Sequence, residues 1–249
     1  YNIDGVINFA AESHVDNSIE NPKIFIETNI MGVYSLLETC YKNWMSSNFK
    51  YKSNFEFSRF HQISTDEVYG SINNGSFNEE DVCKPNSPYS ASKASADMIV
   101  RSYSKTYGLD TVITRCSNNF GPNQNKEKFI PMIIDSIRNQ KAVNVYGKGD
   151  NIRDWICVSD HCRAIDIVYN KGKKGSIYNI AGKNEITNLE LIDLIYFLMD
   201  SNNKKLLNFV NDRFGHDKRY SVDISKISKE LSWEPSKNMN DSLKKILVK

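Results

Sequence analysis

Short apolar runs alternate along this chain with longer stretches of helical spacing. GVINFAA (5–11) has the length of a fully buried strand. NPKIFIETNIMGVYSLLETCYKNW (21–44) follows with helical spacing that predicts a shared face for Ile26, Ile30, Val33, Leu37 and Tyr41. FKYKSNFEFS is a polar, aromatic connection, and RFHQIST (59–65) predicts a second strand. NSPYSASKASADMIVRSYSKTY (86–107) predicts a second long helix, and TVITRCS (111–117) a third strand. Strands alternating with helices of this length imply parallel βαβ units and an α/β fold. After Gly121-Pro122 the texture changes. KFIPMIIDSIRN (128–139) reads as a helix, and AVNVYGKGDNIRDWICVSDHCRAIDIVYN as strand, loop, strand, helix. SIYNIAG (176–182) and LLNFVNDR (206–213) read as strands flanking an amphipathic helix over 187–200 that Thr187 can cap. The tail carries a last short helix or two.

Composition narrows the classes. The chain has 249 residues, a net charge of +2 and 40% hydrophobic residues, enough for one large domain or two small ones. The charge balance and the lack of a basic run of five argue against nucleic acid as a partner. No apolar run approaches the roughly 20 residues of a membrane span. These features predict a soluble, cytoplasmic protein without membrane partners. Five cysteines, irregularly spaced, do not suggest a disulfide framework. Cys157, His161 and Cys162 lie close together, but no second ligand pair complements them, so no metal site is expected. Trp44, Trp155 and Trp233 are expected in packing roles, and His61 in a structural one.

The candidate chemistry begins at HQISTDEVYG (61–70), where two carboxylates follow directly on a buried strand. Read alone, Asp66 and Glu67 are a solvated loop pair. Their place at a strand end in an α/β pattern is where such sheets put their chemistry. In NSPYSASKA, Ser87 suits the N-cap and Pro88 the first helical position. Tyr89 and Lys93 then share one helix face. A lysine ammonium near a phenol favours the phenolate and makes a tyrosine base usable near neutral pH. The spacing recurs at Tyr169 and Lys173, across a glycine at a predicted helix end, where it reads as accidental.

FAAESHVDNS, STDEVYG, PYSASKA, RCSNNFGP, EKFIPMII, YGKGDNIRDW and RFGHDKRY occur in this order. Together they resemble the extended short-chain dehydrogenase/reductase family, and within it the nucleotide-sugar 4,6-dehydratases, nearest to the branch acting on dTDP-glucose. The resemblance covers essentially the whole chain. It implies the later half of a Rossmann-like, doubly wound parallel sheet with a smaller C-terminal α/β substrate domain. Residues 1–122 and 152–182 would belong to the NAD-binding part, and 123–151 and 183–249 to the substrate-binding part. Tyr89 would take the sugar O4 proton while hydride leaves C4 for NAD, with Lys93 lowering its pKa and Thr65 bonding the O4 region. Glu67 would remove the C5 proton and Asp66 would protonate the departing C6 hydroxyl. The resemblance assigns cofactor contacts to Ala10, Ala11, Thr28, Ser64, Tyr89, Lys93 and Asn119. It assigns nucleotide-sugar contacts to His14, Thr65, Asn118, Lys128, Asn144, Tyr146, Arg153, Asn188, His216 and Tyr220, with Arg213 a further candidate. It also implies a homodimer through the helices at 21–46 and 87–107.

One departure stands out. None of the twelve glycines forms the G-x-x-G-x-x-G turn that holds a cofactor diphosphate in this family. Residues 1–11 instead resemble the fourth strand of such a domain, so the sequence resembles a member without its first three βα units. Three alternatives stay open: a UDP- or CDP-glucose 4,6-dehydratase, a UDP-sugar 4-epimerase or decarboxylase, or a non-catalytic nucleotide-sugar-binding fragment.

Overall fold

The computed structural model describes residues 2–200 and 205–247. In chain order the elements are β1 (Gly5–Asn8), α1 (Val15–Glu20), α2 (Pro22–Phe25), a π-helical stretch (Ile26–Met31), α3 (Gly32–Trp44), β2 (Met45–Ser47), β3 (Lys50–Tyr51), β4 (Arg59–Thr65), a 3-10 turn (Asp66–Tyr69) and α4 (Pro88–Tyr107). They continue with β5 (Thr111–Cys116), β6 (Asn118–Phe120), α5 (Phe129–Arg138), β7 (Val143–Tyr146), β8 (Ile152–Cys157), α6 (Val158–Lys171), β9 (Ile177–Ile180), β10 (Glu185–Thr187), α7 (Asn188–Leu198), β11 (Leu207–Val210), α8 (Ser225–Leu231) and α9 (Met239–Leu247).

β1, β4, β5 and β9 form a parallel sheet in that order. Its central strands are buried on both faces, as parallel sheets require. β5 shows the mechanism of the two-sided core. Val112 enters a cluster with Ala164 and Val168 of α6, while its neighbour Ile113 enters another with Leu37 of α3 and Val100 of α4. Alternate side chains of one strand thus bind helices on opposite faces. A third cluster lies beyond the sheet, where Phe120, Ile133, Val145, Trp155, Leu191, Ile195 and Leu243 pack α5, α7 and α9 onto β6, β7 and β8. Here β10, β8 and β6 form one small sheet, antiparallel between β10 and β8, and β11 pairs in parallel with β7.

The strand expected at 59–65 is found with those bounds, and α4 begins as its sequence implied. Ser87 accepts from the Ser90 amide, Ser90 returns the bond, and Pro88 occupies the first helical position. Thr187 caps α7 in the same way with Glu190. The single helix expected at 21–44 is corrected. A π-helical stretch interrupts it and widens the turn, so the buried positions run Phe25, Asn29, Val33, Leu37, every fourth residue. Ile26, expected on the buried face, is 52% exposed. The connection at 49–58 contributes β3 to a short β2–β3 hairpin, and β6 and β10 were not anticipated. Each is only two or three residues long, too short for a period to show. Trp44, Trp155 and Trp233 are buried, and His61 sits inside the sheet beside Thr114, with 3.0 Å between Nε2 and Oγ1. No described helix is long and apolar enough to cross a membrane.

Candidate active site

β4 ends at Thr65, and the chain turns there in a single 3-10 turn. The Thr65 hydroxyl accepts from the Glu67 amide at 3.3 Å, which holds the turn closed. Gly70 leaves the turn at φ +81°, where a side chain would be strained and a Cβ would stand 2.3 Å from the Lys84 carbonyl oxygen. This tight geometry sends the two adjacent acids to different surroundings. Asp66 turns inward, 3% exposed, with its Oδ2 bonded to nothing among the described residues. Glu67 reaches into a cavity of about 320 Å³.

The electrostatics follow that divergence. Burial raises the Asp66 carboxyl well above the usual carboxylate range, and the like charges of Glu67 and Asp154 push the same way. Burial also raises Glu67, but Arg153, Arg213 and Lys128 pull it back. Two carboxyls one position apart therefore differ in their readiness to hold a proton, the pattern expected of an acid beside a base.

α4 supplies the next groups. Tyr89 and Lys93 are both buried, one turn apart. The expected lowering of the tyrosine pKa is corrected here: burial raises Tyr89 well above its ordinary value, and the Glu67 and Cys116 charges add to it. The Lys93 ammonium does not offset this, because its Nζ donates to the Ile63 carbonyl at 2.6 Å. Behind them lies a buried ion pair, Arg115 Nε to Asp97 Oδ2 at 2.9 Å, and Ser64 donates to the same Asp97 oxygen at 3.0 Å. The Ser64 hydroxyl thus faces the interior between β4 and α4.

The structure gathers His14, Glu67, Asn118, Lys128, Tyr146, Arg153, Asn188, Arg213, His216 and Tyr220 around the cavity. Arg153 stacks over the Tyr220 ring at 4.2 Å, and the Tyr220 hydroxyl donates to Asp217 at 2.8 Å and to Glu67 at 3.4 Å. Lys128 donates to the Ser13 carbonyl at 2.9 Å, joining the α5 end to the loop after β1. Asn144 is a correction. It is exposed on β7, does not line the cavity, and its amide oxygen accepts from Asn208 at 2.9 Å.

Ala10 and Ala11 lie in the loop after β1, and Thr28 lies on the π-helical stretch. Asn119, on β6, stands 2.8 Å from His161 Nδ1. His161 is buried, Cys162 is exposed, and Cys157 contacts Ser159. Tyr169 packs against Gly5 on β1, away from the cavity, as an accidental spacing would.

Sequence reasoning passed over Ser13, Asp16 and Asp217, which also line the cavity. Asp16 stands two positions after His14 and was within reach of the same motif. It also passed over Asn29, whose amide group exchanges hydrogen bonds with the Glu12 backbone and donates to Ser92 on α4 at 2.8 Å.

The fold places an acid pair at the end of β4 and a tyrosine and a lysine near the start of α4, beside a polar cavity, an arrangement of the extended short-chain dehydrogenase/reductase type. The sequence profile of the GDP-mannose 4,6 dehydratase family matches residues 1–246, and the chain belongs to that family. It is 46% identical to the dTDP-glucose 4,6-dehydratase of Salmonella typhimurium over 98% of its own length and 72% of that protein's. Among solved structures, DesIV, a dTDP-glucose 4,6-dehydratase from Streptomyces venezuelae with NAD and TYD bound, superposes with a TM-score of 0.91 at 41% identity. That match covers 99% of this chain and 72% of DesIV. The UDP-glucuronic acid 4-epimerase of Bacillus cereus superposes with a TM-score of 0.88 at 26% identity, covering 99% of this chain and 76% of the epimerase.

Proposed function

We propose that this protein acts as an NAD-dependent dTDP-glucose 4,6-dehydratase, yielding dTDP-4-keto-6-deoxyglucose for deoxysugar synthesis. The observation that carries this reading is the divided environment of Asp66 and Glu67. Elimination of water across C5 and C6 needs a base at C5 and an acid at the C6 hydroxyl at the same time. An inward, proton-holding Asp66 beside a cavity-facing Glu67 supplies that pair.

In this reading Tyr89 accepts the O4 proton, and Thr65 and Lys93 hold the reacting end in place. Ionising Tyr89 needs help that the present surroundings do not give, so the buried Lys93 must turn from Ile63 toward it or a bound cation must stand near. The C4 ketone acidifies the C5 proton, Glu67 removes it, and Asp66 delivers its proton to the leaving C6 hydroxyl. Bound NAD would supply the hydride acceptor for C4 and the hydride donor for C6. Ser64 at the end of β4, Tyr89 and Lys93 on α4 and Asn119 on β6 would meet its nicotinamide end. Ala10, Ala11 and Thr28 would meet it from the β1 side. No glycine-rich turn in this chain fits its diphosphate. Lys128, Arg153, Asn188, His216 and Tyr220 would meet the nucleotide-sugar. Arg153 and Arg213 suit its diphosphate, since a guanidinium binds two oxygens at once.

The division into an NAD-binding part, residues 1–122 and 152–182, and a substrate part, 123–151 and 183–249, belongs to the same proposal. So does a homodimer, supported by exposed Met31, Tyr34 and Met98 on the outer faces of the two long helices. A cytoplasmic location suits the two reactants. Incubation with dTDP-glucose and NAD, followed by detection of the 4-keto-6-deoxy product, tests the reading. Turnover of a UDP-sugar to its C4 epimer, with no proton lost from C5, would replace it.

A further inference from the structure

Among the described residues, Asp16 is the acid on the β1 side of the cavity that bonds to groups from the far wall. Arg213 Nη2 donates to Asp16 Oδ2 at 2.9 Å, and Arg213 Nε stands 2.5 Å from Oδ1. The Tyr146 hydroxyl donates to the same Oδ2 at 3.4 Å, and the Arg213 guanidinium lies 5.0 Å over the Tyr146 ring. His216 meets that ring edge-on at 6.3 Å. All four residues line the cavity. Asp16 comes from α1, whereas Tyr146 ends β7 and Arg213 follows β11, so this contact bridges residues 197 apart in sequence.

A helix-capping role does not account for it. Asp16 lies in the first turn of a six-residue helix, but no side chain caps that helix. Stability alone does not account for its place either. The pair is half-buried, with Arg213 and Asp16 side chains 21% and 31% exposed, yet both residues line the cavity and are not part of a hydrophobic core. What the contact does is fix a long side chain. An arginine loses much rotamer freedom when a ligand immobilises it, and a partner that has already ordered it removes that cost from binding. Asp16 and the Tyr146 face hold the guanidinium by one edge and one plane. No hydrogen bond among the described residues uses its Nη1, which is left for an anion.

We infer that Asp16 is a positioning residue that pre-orders Arg213 and Tyr146 for the diphosphate of the nucleotide-sugar, an inference that rests on the proposed function above. It follows that Asp16 acts on affinity for phosphate and leaves affinity for the base and ribose alone.

The test is isothermal titration of this chain with thymidine diphosphate and, separately, with thymidine. Asp16→Asn should weaken thymidine diphosphate binding by roughly 3- to 10-fold, the worth of ordering one such side chain. Thymidine affinity should be unchanged, and Asp16→Glu should restore part of the loss. In an Arg213→Ala background, Asp16→Asn should cost less than it does in the wild type, leaving only the part carried through Tyr146. Equal weakening of both ligands would mean that Asp16 merely supports the local fold, and would overturn the inference. Tighter diphosphate binding by Asp16→Asn would also overturn it, since Asp16 would then compete with the anion for Arg213. Wild-type binding that Asp16→Asn leaves untouched removes the role of Asp16 and keeps the nucleotide-sugar reading. A wild-type chain that binds neither ligand removes both.

Discussion

The floor and the rim of the cavity are built on opposite principles. The floor, where Glu67 and Ser87 meet the cavity at the end of β4 and the start of α4, is backed by a buried layer crowded with polar groups. Asp66, Tyr89, Lys93, Asp97 and Arg115 are each less than a tenth exposed. The rim, formed by Lys128, Tyr146, Arg213 and His216, is half open and carries positive charge balanced by Asp16 and Asp212. Burial is what moves the proton affinities of the floor, because water is not there to stabilise either charge state. Burial also lowers the proton affinities of Lys128 and His216 on the rim, but the rim's cations line the cavity and attract an anion over a distance. In the proposed function, reaction chemistry would belong to the floor and capture to the rim. The difference teaches that similar residue types can be divided by solvent exposure into those that react and those that bind.

The largest expected effect would come from the floor. Glu67→Gln should lower turnover by ~10²–10⁴ while hydride transfer from C4 survives in part, so reduced cofactor should build up on the enzyme and show in absorbance. Tyr89→Phe should block the first step and give no such signal. Normal turnover by Glu67→Gln would break the comparison at its centre and favour an epimerase.

Next in size is the buried pair behind the floor. Asp97→Ala would strand the Arg115 guanidinium, 3% exposed, without its carboxylate. Removing one partner of such a pair costs roughly 3–5 kcal/mol, readable as a lower denaturation midpoint. A loss below 1 kcal/mol would mean that water reaches the pair.

Asp66 should act with the opposite sign. Its carboxyl is raised in the folded chain, so the folded state binds the proton more tightly than the unfolded one. Its contribution to stability is full below the unfolded value of about 3.9 and is lost as pH rises through the folded value. Asp66→Asn should therefore be neutral near pH 3.5 and more stable than wild type near pH 8, by roughly 1–3 kcal/mol, because the unbonded buried oxygen is no longer charged. Urea denaturation at the two pH values would sharpen the point, and an advantage that shrank with rising pH would contradict it. Ser87→Ala, which opens the capping box under Tyr89, should cost about 1 kcal/mol. The smallest effect belongs to the rim. Lys128→Gln should leave the denaturation midpoint within roughly 0.5 kcal/mol but raise KM for the nucleotide-sugar, and the gap should narrow as salt is added.

Local rules carried the floor in the sequence. The strand at 59–65, the caps at Ser87 and Thr187, and the placement of Tyr89 and Lys93 on one face depend on residues within a turn or two of each other. The acid pair depends only on adjacency. The break in the first long helix was not legible, because a π-helical stretch keeps the same residues and changes only their phase; Asn29 becomes buried and Ile26 exposed. The lysine that was to lower the tyrosine pKa went instead to the Ile63 carbonyl, a partner on another element. Asn144 was placed in the cavity by its neighbours in sequence and kept out of it by its pairing with Asn208 on β11.

What the sequence determined by itself is what short-range physics governs: the βα alternation, the two capping boxes, and the identity and order of the acids, the tyrosine and the lysine. What only the tertiary structure decided is which of two neighbouring carboxyls is buried, and which arginine an aspartate 197 residues away holds. Those outcomes depend on solvent exclusion and on charges brought together from distant segments, and neither quantity exists until the chain has folded.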